Sequence, residues 1–308
     1  VIQADYAEGI EYLQRRGRRF DLIFVGPPYG EGLADAALRL LSEGCLFHDE
    51  TVIVSEVLMA LKEELDTFAR VAVYAPDRNW SAAGRTRTFH KPLRASEVRL
   101  LDGSLGYVTS GTPSDCISLA LLGLLEERPR LIVSGINPGL NLGQDVTYSG
   151  TVAAAMEGAR AGIPSMAVSV DVGTEGEEAD HSPYASAAKI AGELASFILA
   201  KDPLPAGIIL NVNVPRRPSS FSPKISLTRL GGKAYSNYLV KGEDPRGRNY
   251  YWISGDPLTE FSPEEEGTDI WAVANGYVSI TPIHLDMTEY ALLDRLREWE
   301  TRDWFKDA

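Results

Sequence analysis

The sequence predicts an α/β fold: a doubly wound, mostly parallel sheet followed by a β-rich hairpin arm and a terminal helix. Three observations carry that expectation. Up to about Pro215, short apolar runs alternate with amphipathic helical stretches, the pattern of a parallel sheet covered by helices on both faces. At Leu131-Ile-Val-Ser134 one such run gives way to a glycine-rich loop and then to an alanine-rich helix. Beyond Pro215, proline and glycine punctuate short β-rich pieces instead.

Residues 21–25 read as the first strand, 33–41 as an amphipathic helix and 51–55 as a strand. A helix follows over 57–65, its apolar stripe supplied by Met59, Ala60 and the leucines. The next strand, 70–75, is stopped by Pro76. The alternation continues through a helix at 115–125, a strand at 131–134, a helix at 152–161 and a strand at 165–170. A strong helix over 185–199 and a strand over 207–213 complete it. Four β pieces come next, at 224–230, 234–240, 249–254 and 277–282. The turn Gly242-Glu-Asp-Pro-Arg-Gly247 joins two of them into a long hairpin, either an oligomer contact or a plain surface arm. Residues 289–304 form a closing amphipathic helix rich in acids and bases.

The 308 residues, 44% hydrophobic and 24% charged, fit one large domain or one domain with an appendage. A net charge of −13 excludes bulk binding to nucleic acid. It leaves room for a nucleotide, whose phosphate is met locally by a metal and backbone amides. Cys45 and Cys116 lie far apart among apolar neighbours and are expected as buried reduced thiols, not as a disulfide or a zinc site. No apolar run approaches the ~20 residues of a membrane helix. The first residues lack the basic-then-apolar order of an export signal, so a cytoplasmic location is expected. The chain opens on Val1 rather than Met, as a fragment or a processed chain does.

The stretch that points to chemistry runs from Ser134 to Gly158. It carries two loop asparagines, Asn137 and Asn141, and ends at Ser149-Gly150-Thr151 directly before the alanine-rich helix. Small residues and hydroxyls at a helix N-terminus make an anion site, because the first amides are unpaired and the helix dipole favours negative charge. The pattern is that of an enzyme handling phosphate.

Several words of the sequence, in order, carry a family resemblance: Ala75-Pro-Asp-Arg-Asn79 with Ser81-Ala-Ala-Gly84, Gly111-Thr-Pro-Ser-Asp-Cys116 and Ser134-Gly-Ile-Asn137. Tyr148-Ser-Gly-Thr-Val-Ala-Ala-Ala-Met-Glu-Gly158, Asn211-Val-Asn-Val-Pro215 and Glu266-Gly-Thr-Asp269 complete the set. From about Val57 onward the chain resembles the SurE family of survival-protein nucleotidases. The resemblance implies a Rossmann-like sheet, a homodimer or homotetramer, and a divalent-metal phosphatase acting on nucleoside monophosphates. By position it implies Ser81 and Asn137 as metal ligands, with neutral oxygens that suit Mg²⁺ or Mn²⁺. It places Asn141, Ser149, Gly150 and Thr151 on the catalytic, phosphate-binding side. Read alone, Ser81 is equally an N-cap or turn residue, and Asn137 a turn former before Pro138. The implied layout is an α/β core over 57–215 and a β-rich arm with a terminal helix over 216–308.

The family's other ligands are two adjacent aspartates in an Asn-Asp-Asp-Gly motif near the N-terminus, and this chain has no Asp-Asp pair. Residues 1–56 resemble a different family. Phe20-Asp-Leu-Ile-Phe-Val-Gly-Pro-Pro-Tyr29 is similar to the catalytic region of RsmD-type ribosomal RNA methyltransferases, with Gly26 where that family has an Asp or Asn. Strand 51–55 is expected to fill the slot of the missing first strand. Glu56 then stands near the vacant carboxylate position as a candidate third ligand, or serves only as a helix-start acid. Asp77 reads as a turn residue, and His90 and His181 as surface histidines without a catalytic role. Arg78 and Arg85 flank Ser81 and read either as phosphate contacts or as surface ion pairs. Two functions remain open: a SurE-like nucleotidase, and a catalytically silent chimera that still binds nucleotide.

Overall fold

The computed structural model describes residues 20–22, 47–52, 56–78, 80, 84–173, 183–201, 204–216, 224–232, 235–244, 246–257 and 265–300. In chain order the first elements are β1 (Phe20–Leu22), β2 (Phe47–Val52), α1 (Glu56–Asp66), β3 (Val73–Pro76), β4 (Ala95–Arg99) and β5 (Leu105–Thr109). Next come α2 (Pro113–Leu119), β6 (Ile132–Pro138), α3 (Gly150–Arg160), β7 (Ser165–Val170), α4 (Pro183–Ala200) and β8 (Ile208–Val214). The last are β9 (Ile225–Leu227), β10 (Tyr235–Glu243), β11 (Asn249–Pro257), α5 (Asp269–Ala274), β12 (Val278–His284) and α6 (Tyr290–Glu300).

The main sheet has the order β6-β7-β8-β12-β9. β6, β7 and β8 are parallel, and β12 runs antiparallel to β8 and parallel to β9. A second sheet has the order β3-β5-β4, and β1 pairs in parallel with β2. This is the doubly wound α/β architecture, and period-two alternation explains its layers. In β7, Met166, Val168 and Val170 join α4 residues Ala187, Ala191 and Ala195 on one face. Ala167 and Ile209 pack with Val152, Ala155 and Ala159 of α3 on the other. Gly158 lets α3 approach the sheet, since a Cβ there would sit 2.4 Å from Ser165 Oγ. α1 bridges the two sheets: Leu61 and Leu65 lie in the α4 cluster, while Met59 packs with Val73 and Leu100. Lys62, also on α1, is buried and donates to Asp66 and, at 2.6 Å, to Asp102.

Several expected boundaries move. The strand expected at 51–55 is β2, which begins earlier, at Phe47; residues 53–55 lie outside the described residues, as do the helix expected at 33–41 and most of strand 21–25. Pro76 ends β3 from inside it, which an edge strand paired on one side tolerates. The helix expected at 115–125 stops at Leu119 and continues as a wider turn over Ala120–Leu124, where Gly123 has φ 152°. β4 and β5 have no counterpart in the sequence reading. β4 is mostly exposed and short of apolar residues, and Gly106 interrupts β5, so neither shows a strand's usual pattern. The hairpin β10–β11 forms as expected, in unbroken register from Tyr235↔Pro257 to Glu243↔Asn249. Cys116 is buried and free, as expected, and burial first, with Asp115 nearby, pushes its thiol up to about 11 despite a 3.0 Å contact with Thr109 Oγ1. Cys45 lies outside the described residues. Among the described residues no helix is long and apolar enough to cross a membrane.

Candidate active site

The site stands at the carboxyl ends of β6, β7 and β8, where parallel sheets leave a crevice. On the face of the sheet that carries α3, the last inward positions of β7 and β8 are polar: Ser169, Asn211 and Asn213, all fully buried. Buried amides need partners, and the loop after β6 supplies them. The Asn141 backbone N–H donates to Asn213 Oδ1 at 2.8 Å. The Asn141 carbonyl accepts from Asn211 Nδ2 at 2.9 Å and Asn213 Nδ2 at 3.0 Å. The Asn141 side-chain amide donates to Ser169 Oγ at 2.6 Å. Asn211 Oδ1 is buried without a hydrogen-bond partner among the described residues.

A second latch holds the loop two residues later. Asp269, fully buried at the start of α5, accepts the Gly143 and Gly231 amides at 2.8 Å each and its neighbour Ile270's amide at 2.9 Å. Burial raises the carboxyl above its usual range, and the three amides pull the other way. Gly143 has φ 53°, and a Cβ there would meet Gly232 O at 2.0 Å, so glycine is required on both counts.

From Gly143 a short helical turn leads through Tyr148 to α3. Ser149 is the N-cap, and its Oγ accepts the Val152 amide at 3.2 Å. The Gly150 and Thr151 amides belong to the first turn, which has no preceding helical carbonyl to pair with. Pro113 and the Trp80 carbonyl wall this mouth, 3.2 and 3.6 Å from where a Gly150 Cβ would stand. The Gly84 amide donates to Tyr148 O at 2.9 Å, laying the 84–88 segment alongside.

Two buried acids brace the surroundings. Asp115 forms a capping box with Thr112, accepting its amide at 2.9 Å, and also takes the Thr88 amide at 3.0 Å. Burial raises its pKa, but these hydrogen bonds outweigh it and the carboxyl is lowered. Glu157, inside α3, accepts from Ser118 Oγ at 3.0 Å and from Arg160 at 2.6 Å. Burial opposes ionisation there too, yet Arg160, Ser118 and Arg87 hold the carboxyl below its usual range.

The residues expected at the site are therefore partly assembled. Asn137, expected in the loop, instead lies within β6, which runs on to Pro138, and is paired with Ser169 of β7; Asn141, Ser149, Gly150 and Thr151 follow on the segment beyond the strand. Asn137 donates through Nδ2 to Gly139 O at 2.7 Å. Ser81 lies outside the described residues, and Glu56 is placed only as the first residue of α1. Among the described residues no group of three or more His, Cys, Asp or Glu stands ready to hold a metal. Asp77 pairs with Arg78 at 3.5 Å, and Arg78 also stacks over Trp80 at 4.8 Å. His90 is exposed, and His181 lies outside the described residues. Sequence reasoning assigned no role to Asn211, Asn213 or Asp269, although all three sit in the recognised words. β2 carries two consecutive acids, Asp49 and Glu50.

Taken together these features define an α/β protein that presents the Ser149-capped N-terminus of a helix at the end of a parallel sheet. Residues 48–237 match the family model described as survival protein SurE. A 5'-nucleotidase SurE from Herpetosiphon aurantiacus is 46% identical over 251 residues, which cover 82% of this chain and 96% of that protein. One from Chloroflexus aggregans is also 46% identical, over 79% of this chain and 93% of its own length. The crystal structure of SurE from Aquifex aeolicus matches with a TM-score of 0.66 at 40% identity, covering 80% of this chain and 95% of that one. The chain belongs to the SurE family. The matched stretch opens inside β2, just before Asp49.

Proposed function

We propose that this chain is a 5'-nucleotidase, a metal-dependent hydrolase that releases inorganic phosphate from nucleoside monophosphates. The observation that carries the reading is the latching of the 137–151 segment by Asn211, Asn213, Ser169 and Asp269, which fixes the mouth of α3 in a chain of the SurE family. In this reading the Gly150 and Thr151 amides meet the phosphoryl oxygens, whose charge grows as water attacks phosphorus opposite the leaving oxygen. Ser149 fixes those amides by capping α3, and Asn141 holds the approach to them.

Asn137, near the end of β6, is the proposed ligand for Mg²⁺ or Mn²⁺, with Ser81 and Glu56 completing the set. When bound, such an ion polarises the phosphoryl group and acidifies water. The exposed Leu239, Trp252 and Ile253 of the hairpin support a homodimer or homotetramer built through that arm. We place the protein in the cytoplasm, without a membrane or bulk nucleic-acid partner, and divide it into a methyltransferase-like segment (1–56), a core (57–215) and an arm (216–308). A silent nucleotide-binding chimera is the second reading, favoured by the lack of an Asp-Asp pair.

Phosphate release from 5'-AMP by the full chain separates them. Release that needs Mn²⁺ or Mg²⁺ and stops with excess chelator is expected. Release that survives chelation removes the metal, and nucleotide binding without release under Mn²⁺ selects the silent chimera.

A further inference from the structure

In a chain of net charge −13, residues 84–94 (Gly-Arg-Thr-Arg-Thr-Phe-His-Lys-Pro-Leu-Arg) contain no acid and four Lys or Arg. Arg85, His90, Lys91 and Arg94 are exposed, and Phe89 is 82% exposed. Several cations elsewhere are committed to carboxylates, among them Lys62 to Asp102, Arg160 to Glu157 and Arg248 to Asp244. Among the described residues, Arg85, Lys91 and Arg94 pair with no carboxylate. The segment is not a loose loop. Gly84 is tied to Tyr148, the Thr86 carbonyl accepts from Thr112 Oγ1 at 2.8 Å and the Thr88 amide donates to Asp115. The Arg94 amide donates to Ser110 Oγ at 2.9 Å. Arg87 connects the strip to α3: its guanidinium stands 5.2 Å from the Phe89 ring and 3.9 Å from Glu157.

We propose that this strip is a binding track for the first few nucleotides of a single-stranded oligonucleotide whose terminal phosphate enters the mouth of α3. The inference rests on the phosphomonoesterase reading and enlarges its substrate class. Unpaired cations beside an exposed ring are what a single strand needs, charge for its phosphodiesters and a face for a base. Phe89 lies five positions after Gly84, a reach of at most about 18 Å, so the track suits a short strand. The acidic remainder of the surface repels a long one. Phe89 favours a nucleotide chain over an inorganic polyphosphate, which has no base to stack. The chemistry is unchanged: water breaks the terminal P–O bond, leaving an oligonucleotide hydroxyl and inorganic phosphate.

The test compares 5'-AMP, a 5'-phosphorylated trinucleotide and tripolyphosphate as substrates of the full chain with Mn²⁺. Wild type, Phe89→Ala and Lys91→Ala/Arg94→Ala are assayed at several salt concentrations. Both variants are expected to lower kcat/KM for the trinucleotide about tenfold while AMP stays within about twofold. The double variant should also reduce the slope of log affinity against log salt by about 1.4, for two lost phosphate contacts. Equal losses on AMP and trinucleotide, no loss on either, or a wild type that cleaves AMP alone each overturn the track. Tripolyphosphate losing as much as the trinucleotide, with Phe89→Ala silent, overturns the oligonucleotide as its occupant. If AMP itself is not cleaved, the nucleotidase reading fails, and fluorescence anisotropy of a labelled trinucleotide still decides the track: undiminished binding by the double variant overturns it.

Discussion

The Asp269 carboxylate reaches across 126 residues of sequence to accept the Gly143 amide at 2.8 Å. It thereby fastens the loop that leads into α3 to a helix from the far end of the chain. Its surroundings offer only donors, since the Gly231 and Ile270 amides share its other oxygen. Asp269→Asn would turn an NH₂ toward an N–H. The variant is expected to lose about 2–4 kcal/mol of stability, because hydrogen bonds to a charged acceptor are the strong ones and the amides are left buried. Urea unfolding measures that loss, and amide exchange should quicken in peptides spanning 139–151 more than in β7.

Asn213 and Asn141 separate side-chain from main-chain roles. Asn141→Ala deletes only the bond to Ser169 Oγ, since its other contacts run through its backbone. Asn213→Ala removes two bonds to that backbone and strands a buried amide. The expected costs are about 1 kcal/mol for the first and 2–3 kcal/mol for the second. Equal urea midpoints for the two variants would contradict this latch.

For rate the order involves Asn137. It stands near the end of β6 as the proposed ion ligand, whereas Asn141 is spent on holding the loop. Asn137→Ala is expected to slow single-turnover phosphate release by about 10²-fold, the size of a lost transition-state contact. Asn141→Ala should cost far less, and the two rates being equal would refute this division of labour.

Acid should weaken the Thr112–Asp115 box. The Asp115 carboxyl titrates lower in the folded chain than its ordinary value of 3.8. A depressed folded pKa contributes stability above the unfolded value, lost as pH falls through the folded one. Stability attributable to this group is therefore full near neutrality and declines below about pH 4. Asp115→Asn should lower stability at pH 7 and flatten the decline, as followed by thermal melts from pH 7 to pH 2.

Much of this architecture could be read from pattern. β7 and the helix Gly150–Arg160 announce themselves through a six-residue buried run and an alanine-rich stretch behind a capping serine. Asn137, Asn141 and Ser149–Thr151 could be read as a candidate site because they are neighbours in sequence. β4 and β5 could not, because β4 is mostly exposed and Gly106 interrupts β5, whose place is set by backbone pairing with β3 on one side and β4 on the other. Asp269, Asn211 and Asn213 were visible as motif letters without a role. Their partners lie 70 or more residues away, and local periodicity carries no trace of such pairings.

α1 is a single helix with allegiance to two hydrophobic clusters, through Met59 on one side and Leu61 with Leu65 on the other. Whether the β3-β5-β4 sheet and the β6-to-β9 sheet melt together thus depends in part on this helix remaining seated on both. Trimming one side, as in Leu61→Ala, should do more than lower the melting point. It is expected to split the calorimetric endotherm, so that the calorimetric and van't Hoff enthalpies cease to agree while the wild type melts as one unit.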